Sequence, residues 1–304
     1  MIHEYAIEPH LVANAGSLAR FRFWSLEFGL GTPRIMAQLP KKKNWRRLVF
    51  QAMNSNTGDV ERTRVEALIG HLTSSSSCRE TAVYDGALPW IDNALSEHAR
   101  QPFRAILAAE DRAGFPAIIV AEPLERVYES ESWQVKRSIC VPRNADSMAA
   151  AVEVMLACCR VAIFVDSHFG PENPRHRRPM EKFFAAMRSR DDRLMHRLEI
   201  CTGSSATLDF LEQEFRDRLA RHLSPGTKLI LKKLTQQDTG EKIHNRYIIT
   251  ELGGVQFGTG MDDGKKGEND DVNLMDIDQY LQRWDQYCDR EKFAFDCEEV
   301  EIEI

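Results

Sequence analysis

The residues best suited to chemistry lie between Lys242 and Asp262. There His244 and Arg246 stand two apart, Glu251 follows, and Gly258-Thr259-Gly260-Met261-Asp262 closes the stretch. An imidazole beside a planar guanidinium suits an anionic, phosphate-bearing ligand, because the guanidinium offers a fork of N–H donors matched to phosphate oxygens. His168 is a second candidate: it follows Asp166 after the apolar run Ala162–Val165. Open α/β sheets place ligand sites at such strand ends, although a histidine there serves equally well as a hydrogen-bonded structural residue. Arg175, Arg177 and Arg178 open a basic stretch continued by Lys182, Arg188, Arg190, Arg193 and Arg197, with eight Lys or Arg against four acids from Glu172 to Arg197. That excess reads either as a phosphate-binding track or as the solvated face of an amphipathic helix. Cys201-Thr202-Gly203-Ser204-Ser205, a strand end running into a helix, offers a further weak phosphate cradle.

The elements that must position these residues alternate. Tyr247–Ile249 and Val255–Phe257 are β-branched or aromatic runs, and Gly253-Gly254 between them has the conformational freedom of a hairpin turn. Val161–Val165 is a continuous apolar run, which predicts a central strand buried on both faces. Further strands are expected at Trp133–Val141, Leu198–Cys201 and Lys228–Leu234, with helices from Asp146, over Pro179–Arg188 and over Ser205–Leu223. The N-terminal half reads differently, as mainly helical. Asp59–Leu72 and Ala87–His98 carry helical spacing, while Phe103–Ala108 and Ala117–Val120 are its few strands. The charged segment Glu122–Glu131, with Pro123, is the best place to divide the chain. The fold class expected is therefore α/β (α+β): a mainly helical region over 1–125, then a domain over 126–304 with a mixed sheet between helices on both faces and an acidic tail.

The spacing His244-x-Arg246, Glu251, Gly258-Thr259 resembles the HKD signature of the phospholipase D superfamily. His244-Asn245-Arg246, Gly253-Gly254 and the Gly258–Asp262 exit resemble more closely the phospholipase D-like domain at the C-terminus of MIT-domain proteins. The resemblance covers the second half of the chain. It implies metal-independent phosphodiester chemistry without cofactors, in which His244 is the nucleophile, Arg246 the phosphate clamp, Glu251 the orienting carboxylate and Thr259 the stand-in for a serine. His168, or His244 of a second copy, would then be the acid, and with one motif per chain a homodimer is expected. Nucleic acid is the implied substrate, and by analogy the setting is an effector of a prokaryotic defence system within a larger complex. The alternative is a non-catalytic module that binds phosphate, lipid headgroups or protein, as the MIT-type relatives do. Arg in place of Lys and Met261 in place of an asparagine favour that alternative. A subunit with a purely structural role is a third reading.

Composition narrows the classes. The net charge of −6 divides unevenly: residues 262–304 carry −10, leaving +4 for the rest. Lys41-Lys42-Lys43-Asn44-Trp45-Arg46-Arg47 is either a nucleic-acid contact with an embedded aromatic or a solvated helix start whose Trp45 is core. Seven cysteines without paired spacing argue for reduced thiols and against a structural zinc. No apolar run approaches membrane-spanning length, and no signal peptide opens the chain, so a cytoplasmic location without transmembrane segments is expected.

Overall fold

A parallel sheet, and not a helical array, organises residues 2–136 of the computed structural model, which describes residues 1–112, 114–189, 195–237, 242–289 and 291–304. Its elements run β1 (His3–Ile7), α1 (Pro9–Ala13), α2 (Leu18–Glu27), β2 (Arg34–Gln38), α3 (Lys42–Ala52), α4 (Asp59–Ser74), β3 (Ser77–Cys78), α5 (Trp90–Arg100), β4 (Ala105–Ala108) and β5 (Ile118–Val120). The strands pair in parallel in the order β3-β2-β1-β4-β5. Tyr5 and Ile7 enter one core with Trp24, Trp45 and Leu68 of α2, α3 and α4, whereas Ala6 enters another with Ile91 and Ala94 of α5. Both faces are therefore covered, the arrangement of a doubly wound sheet. Trp45 is core, and its indole N–H donates to the Ile7 carbonyl at 3.0 Å.

Helix outweighs strand over 1–125, as expected; what the residue pattern leaves out is that five strands among the described residues, and not only β4 and β5, pair into one parallel sheet. β1 and β2 escape a search for apolar runs because each carries a buried charge. Glu4 accepts from Arg79 Nη2 at 2.5 Å, and Arg34 Nη1 donates to Glu27 at 2.8 Å. The compact unit also ends later than expected, at Lys136, since Trp133 packs in its core.

Residues 137–304 form the second unit, around an eight-stranded mixed sheet in the order β13-β9-β8-β7-β10-β11-β12-β6. Its elements are β6 (Ser138–Pro142), α6 (Ala145–Cys158), β7 (Val161–Asp166), α7 (Pro174–Met187), β8 (Arg197–Thr202), α8 (Leu208–Arg218), β9 (Lys228–Thr235), β10 (Arg246–Thr250), β11 (Gly253–Phe257), β12 (Asn269–Leu274), α9 (Ile277–Tyr287) and β13 (Asp296–Glu303). β7, β8 and β9 are parallel; the remaining pairings are antiparallel. The inner strands β7, β8 and β10 are buried at nearly every residue, so the sheet is covered on both faces. The molecule is a mixed α/β protein, as its residue pattern predicts, with one parallel sheet and one mixed sheet.

Two local readings change, at the hairpin turn and at Pro179. The hairpin turns at Glu251-Leu252, while Gly253 and Gly254 are already the first residues of β11. A Cβ on Gly254 would lie 2.8 Å from Met275 Sδ, so any larger residue there would have to displace the buried Met275 side chain. The acidic stretch after Met261 is ordered, in keeping with its residue pattern: β12 lies within the sheet, α9 follows, and β13 closes one edge by pairing with β9. There Glu301 meets Lys228 at 3.0 Å and Glu298 meets Lys233 at 3.6 Å. Pro179 lies inside α7 instead of opening it. Among the described residues, no helix is long and apolar enough to cross a membrane.

Candidate functional site

Register creates the site. β7 and β10 run antiparallel with Asp166 opposite Arg246, the last residue of one strand facing the first of the other. His168 lies two residues beyond Asp166 and His244 two before Arg246, so both imidazoles leave neighbouring strands at the same end of the sheet. Both histidines are exposed, and neither ring has a hydrogen-bond partner among the described residues. Asp166 is buried. Its carboxylate accepts from the backbone N–H of His168 at 3.0 Å and of Met261 at 3.3 Å, and lies 3.9 Å from Arg246 Nε.

Arg246 is only partly satisfied. Nη1 donates to the His244 carbonyl at 2.6 Å, which fixes the turn into β10. Nε is shielded from solvent yet has no hydrogen-bond partner. A buried guanidinium N–H without an acceptor is unfavourable, and an anion would satisfy it. Ser167 Oγ, on a residue only 6 % exposed, is similarly unpartnered.

The Gly258–Asp262 exit from β11 is held by carboxylates. Asp270 of β12, 3 % exposed, accepts from Thr259 N at 2.8 Å and Gly260 N at 3.3 Å. Gly258 permits that approach, since a Cβ there would sit 3.0 Å from Asp270 Oδ1. Beyond it, Asp262 bridges Arg143 and Arg175, the latter at 2.8 Å. Pro179 supplies the last tie. It has no N–H to give the Arg175 carbonyl four residues back, and Asp263 N takes that carbonyl at 2.8 Å.

This geometry sorts the candidates. His244, Arg246 and His168 come together at one end of the sheet. Thr259 joins them through the β11 exit and is exposed, but its backbone N–H is committed to Asp270. Glu251 does not join them. It lies beyond the far end of β10, roughly 16 Å along the strand from Arg246. There it accepts from Arg160 N at 2.6 Å and Val161 N at 2.9 Å, capping the start of β7. The orienting role expected of Glu251 is corrected accordingly.

Two of the three arginines expected to bind phosphate are occupied. Arg175 is latched to Asp262 and to the Asp263 carbonyl at 2.9 Å, and Arg177 to Glu181 at 3.6 Å. Arg178 is exposed and carries no partner among the described residues, whereas Arg190 and Arg193 lie outside them. The loop after β8 is no open cradle either. Gly203 N donates to the Ser167 carbonyl at 3.2 Å, and Ser204 N to Thr202 Oγ1 at 3.1 Å. Sequence reasoning overlooked Asp166, Asp270 and Arg143. Asp166 was visible as a carboxylate ending an apolar strand, but nothing in the acidic run after Asp262 marks Asp270 as the buried one.

The arrangement places one partly unsatisfied guanidinium and two exposed imidazoles at the same end of the sheet, beside a buried carboxylate. Comparison with known proteins finds no matching family and no matching curated protein.

Proposed function

We propose that the C-terminal unit binds phosphodiesters at Arg246 and cleaves them by phospholipase D-type chemistry, with nucleic acid as the substrate. The observation that carries this reading is the β7–β10 register, which sends His168 and His244 out beside an arginine whose Nε lacks an acceptor. In the proposed reaction an imidazole nitrogen of His244 forms a bond to phosphorus as the bond to the leaving oxygen breaks. His168, protonated, gives its proton to that oxygen. Water then attacks the phosphohistidine, His168 takes a proton from it, and His244 is released with a phosphomonoester. Arg246 holds non-bridging oxygens throughout, where negative charge accumulates. Because both rings come from one chain, this route does not depend on a homodimer.

The second reading is a phosphate-binding module without turnover. It is favoured by Asp166, whose carboxylate lies 3.9 Å from Arg246 Nε and competes with an incoming anion. One experiment separates the two. Wild type, His244→Ala, His168→Ala and Arg246→Lys are incubated in EDTA with labelled single- and double-stranded DNA, RNA and anionic liposomes. Binding, cleavage and phosphohistidine are all measured. Catalysis requires cleavage by wild type, a trapped phosphohistidine and loss of both in His244→Ala. Saturable binding weakened by Arg246→Lys, with every substrate intact, identifies the binding module.

A further inference from the structure

The N-terminal unit holds a crevice where its strand order reverses. From β1 the chain moves one way, to β2 and β3; it then crosses back through α5 to β4 on the other side of β1 and continues to β5. The loops after β1 and β4 therefore diverge, leaving a gap at the carboxyl ends of the strands, where α/β sheets take ligands. A cavity of about 270 Å3 occupies that place, lined among others by Glu8, His10, Trp90, Ile91, Glu110 and Arg112. We propose that it is a binding site for a nucleoside 5′-monophosphate.

The polar groups are partly committed in a way that leaves recognition capacity. Glu8 Oε2 accepts from Ala109 N at 2.7 Å, tying the residue after β1 to the residue after β4. Glu8 Oε1 has no protein partner among the described residues, and a carboxylate oxygen at a strand end is a natural acceptor for ribose hydroxyls. The Trp90 indole N–H donates to the Leu39 carbonyl at 2.8 Å, which orients the ring as a wall for a base, with Ile91 beside it. Arg112 Nη1 pairs with Asp92 at 2.8 Å, and the guanidinium, half exposed, retains donors for phosphate oxygens.

Size and charge exclude larger ligands. The turn after β1 is Glu8-Pro9-His10, in which proline lacks an N–H, so no glycine-rich amide cradle receives a diphosphate. The volume is at the small end for ligand pockets and fits one nucleotide rather than two. Arg112, shared with Asp92, is the single arginine in the lining and can serve one phosphate group, while Glu8 and Glu110 repel each further negative charge, so a triphosphate is disfavoured more than a monophosphate.

The test is calorimetric titration of the full chain with AMP, GMP, CMP and UMP. Adenosine, 2′-deoxy-AMP and ATP serve as comparisons. At least one ribonucleoside monophosphate is expected to bind saturably, more tightly than its triphosphate and its deoxy form. Glu8→Gln keeps an acceptor for Ala109 N but loses the carboxylate; it should weaken binding about tenfold or more and erase the ribose preference. Arg112→Gln should erase the advantage of AMP over adenosine. Titrations repeated in the His244→Ala background separate this site from the one proposed in the other unit: the effects of Glu8→Gln and Arg112→Gln should persist there, so failure of the phosphodiesterase reading leaves the proposal standing. Competition between AMP and a 5′-phosphorylated decanucleotide tells whether the nucleotide enters free or as a strand end. The proposal is overturned if no nucleotide binds, or if both variants are folded and bind as wild type does.

Discussion

Replacing Asp270 with Ala is expected to release the loop beside Arg246, and the cost can be worked from the structure. Asp270 accepts three backbone N–H groups, from Thr259 at 2.8 Å, Asp271 at 2.9 Å and Gly260 at 3.3 Å. Hydrogen bonds to a charged group contribute about 1.5–3 kcal/mol each, so simple addition would give about 4.5–9 kcal/mol. That sum is too large. Thr259 and Asp271 are exposed, so their amides can turn to water, whereas Gly260 is buried and its amide is left without an acceptor. We expect about 3–4 kcal/mol for Asp270→Ala, dominated by that one orphaned N–H. Asp270→Asn keeps one oxygen for Thr259 and Asp271 but turns an NH2 toward Gly260, and should cost about 1–2 kcal/mol. Urea unfolding monitored on the C-terminal unit gives the energies, and amide hydrogen exchange at Thr259 and Gly260 localises them. Wild-type stability in Asp270→Ala, with Gly260 still protected, would refute the claim that this carboxylate shapes the exit from β11.

Three further predictions concern the scaffold. Arg79→Ala takes the guanidinium from Glu4 and Glu97, both buried and paired to it at 2.5 and 2.8 Å, leaving Arg100 on Glu97 and the Ser77 hydroxyl on Glu4, and should destabilise the N-terminal unit by about 3 kcal/mol in denaturant melts. Burial, reinforced by charges that include Arg104 and Arg34, lowers the His3 pKa from 6.5 to about 3. The unfolded chain therefore binds the extra proton between those values; stability is full above pH 6.5 and falls toward pH 3 with a slope of up to about 1.4 kcal/mol per pH unit, which His3→Asn should flatten in urea midpoints taken across that range. Glu251→Gln should cost about 1–2 kcal/mol through its cap on β7 while leaving phosphate binding within twofold of wild type; a tenfold loss of binding at unchanged stability would return Glu251 to the site.

Local chemistry was legible where neighbours in sequence decide it. The apolar run Val161–Val165 made a central strand because burial on both faces demands uninterrupted apolar side chains, and His244-x-Arg246 kept its two side chains at one strand entrance because near neighbours in sequence stay together in any fold. Helical spacing likewise predicted α4. What the sequence could not decide was partnership across the chain. Glu4 looks unfit for a buried strand until Arg79 is placed beside it, which is why β1, and with it the parallel pairing and the crevice, escaped the residue pattern while β4 and β5 did not. Arg175 looks like a free phosphate ligand until Asp262 meets it, and Glu251 looks like part of a motif until β10 carries it to the opposite end of the sheet. A charged side chain declares what it can bind, but whether it binds a ligand or another part of the protein depends on strand register and crossover. Those are set by burial of the whole sheet, to which residues far apart in sequence contribute together.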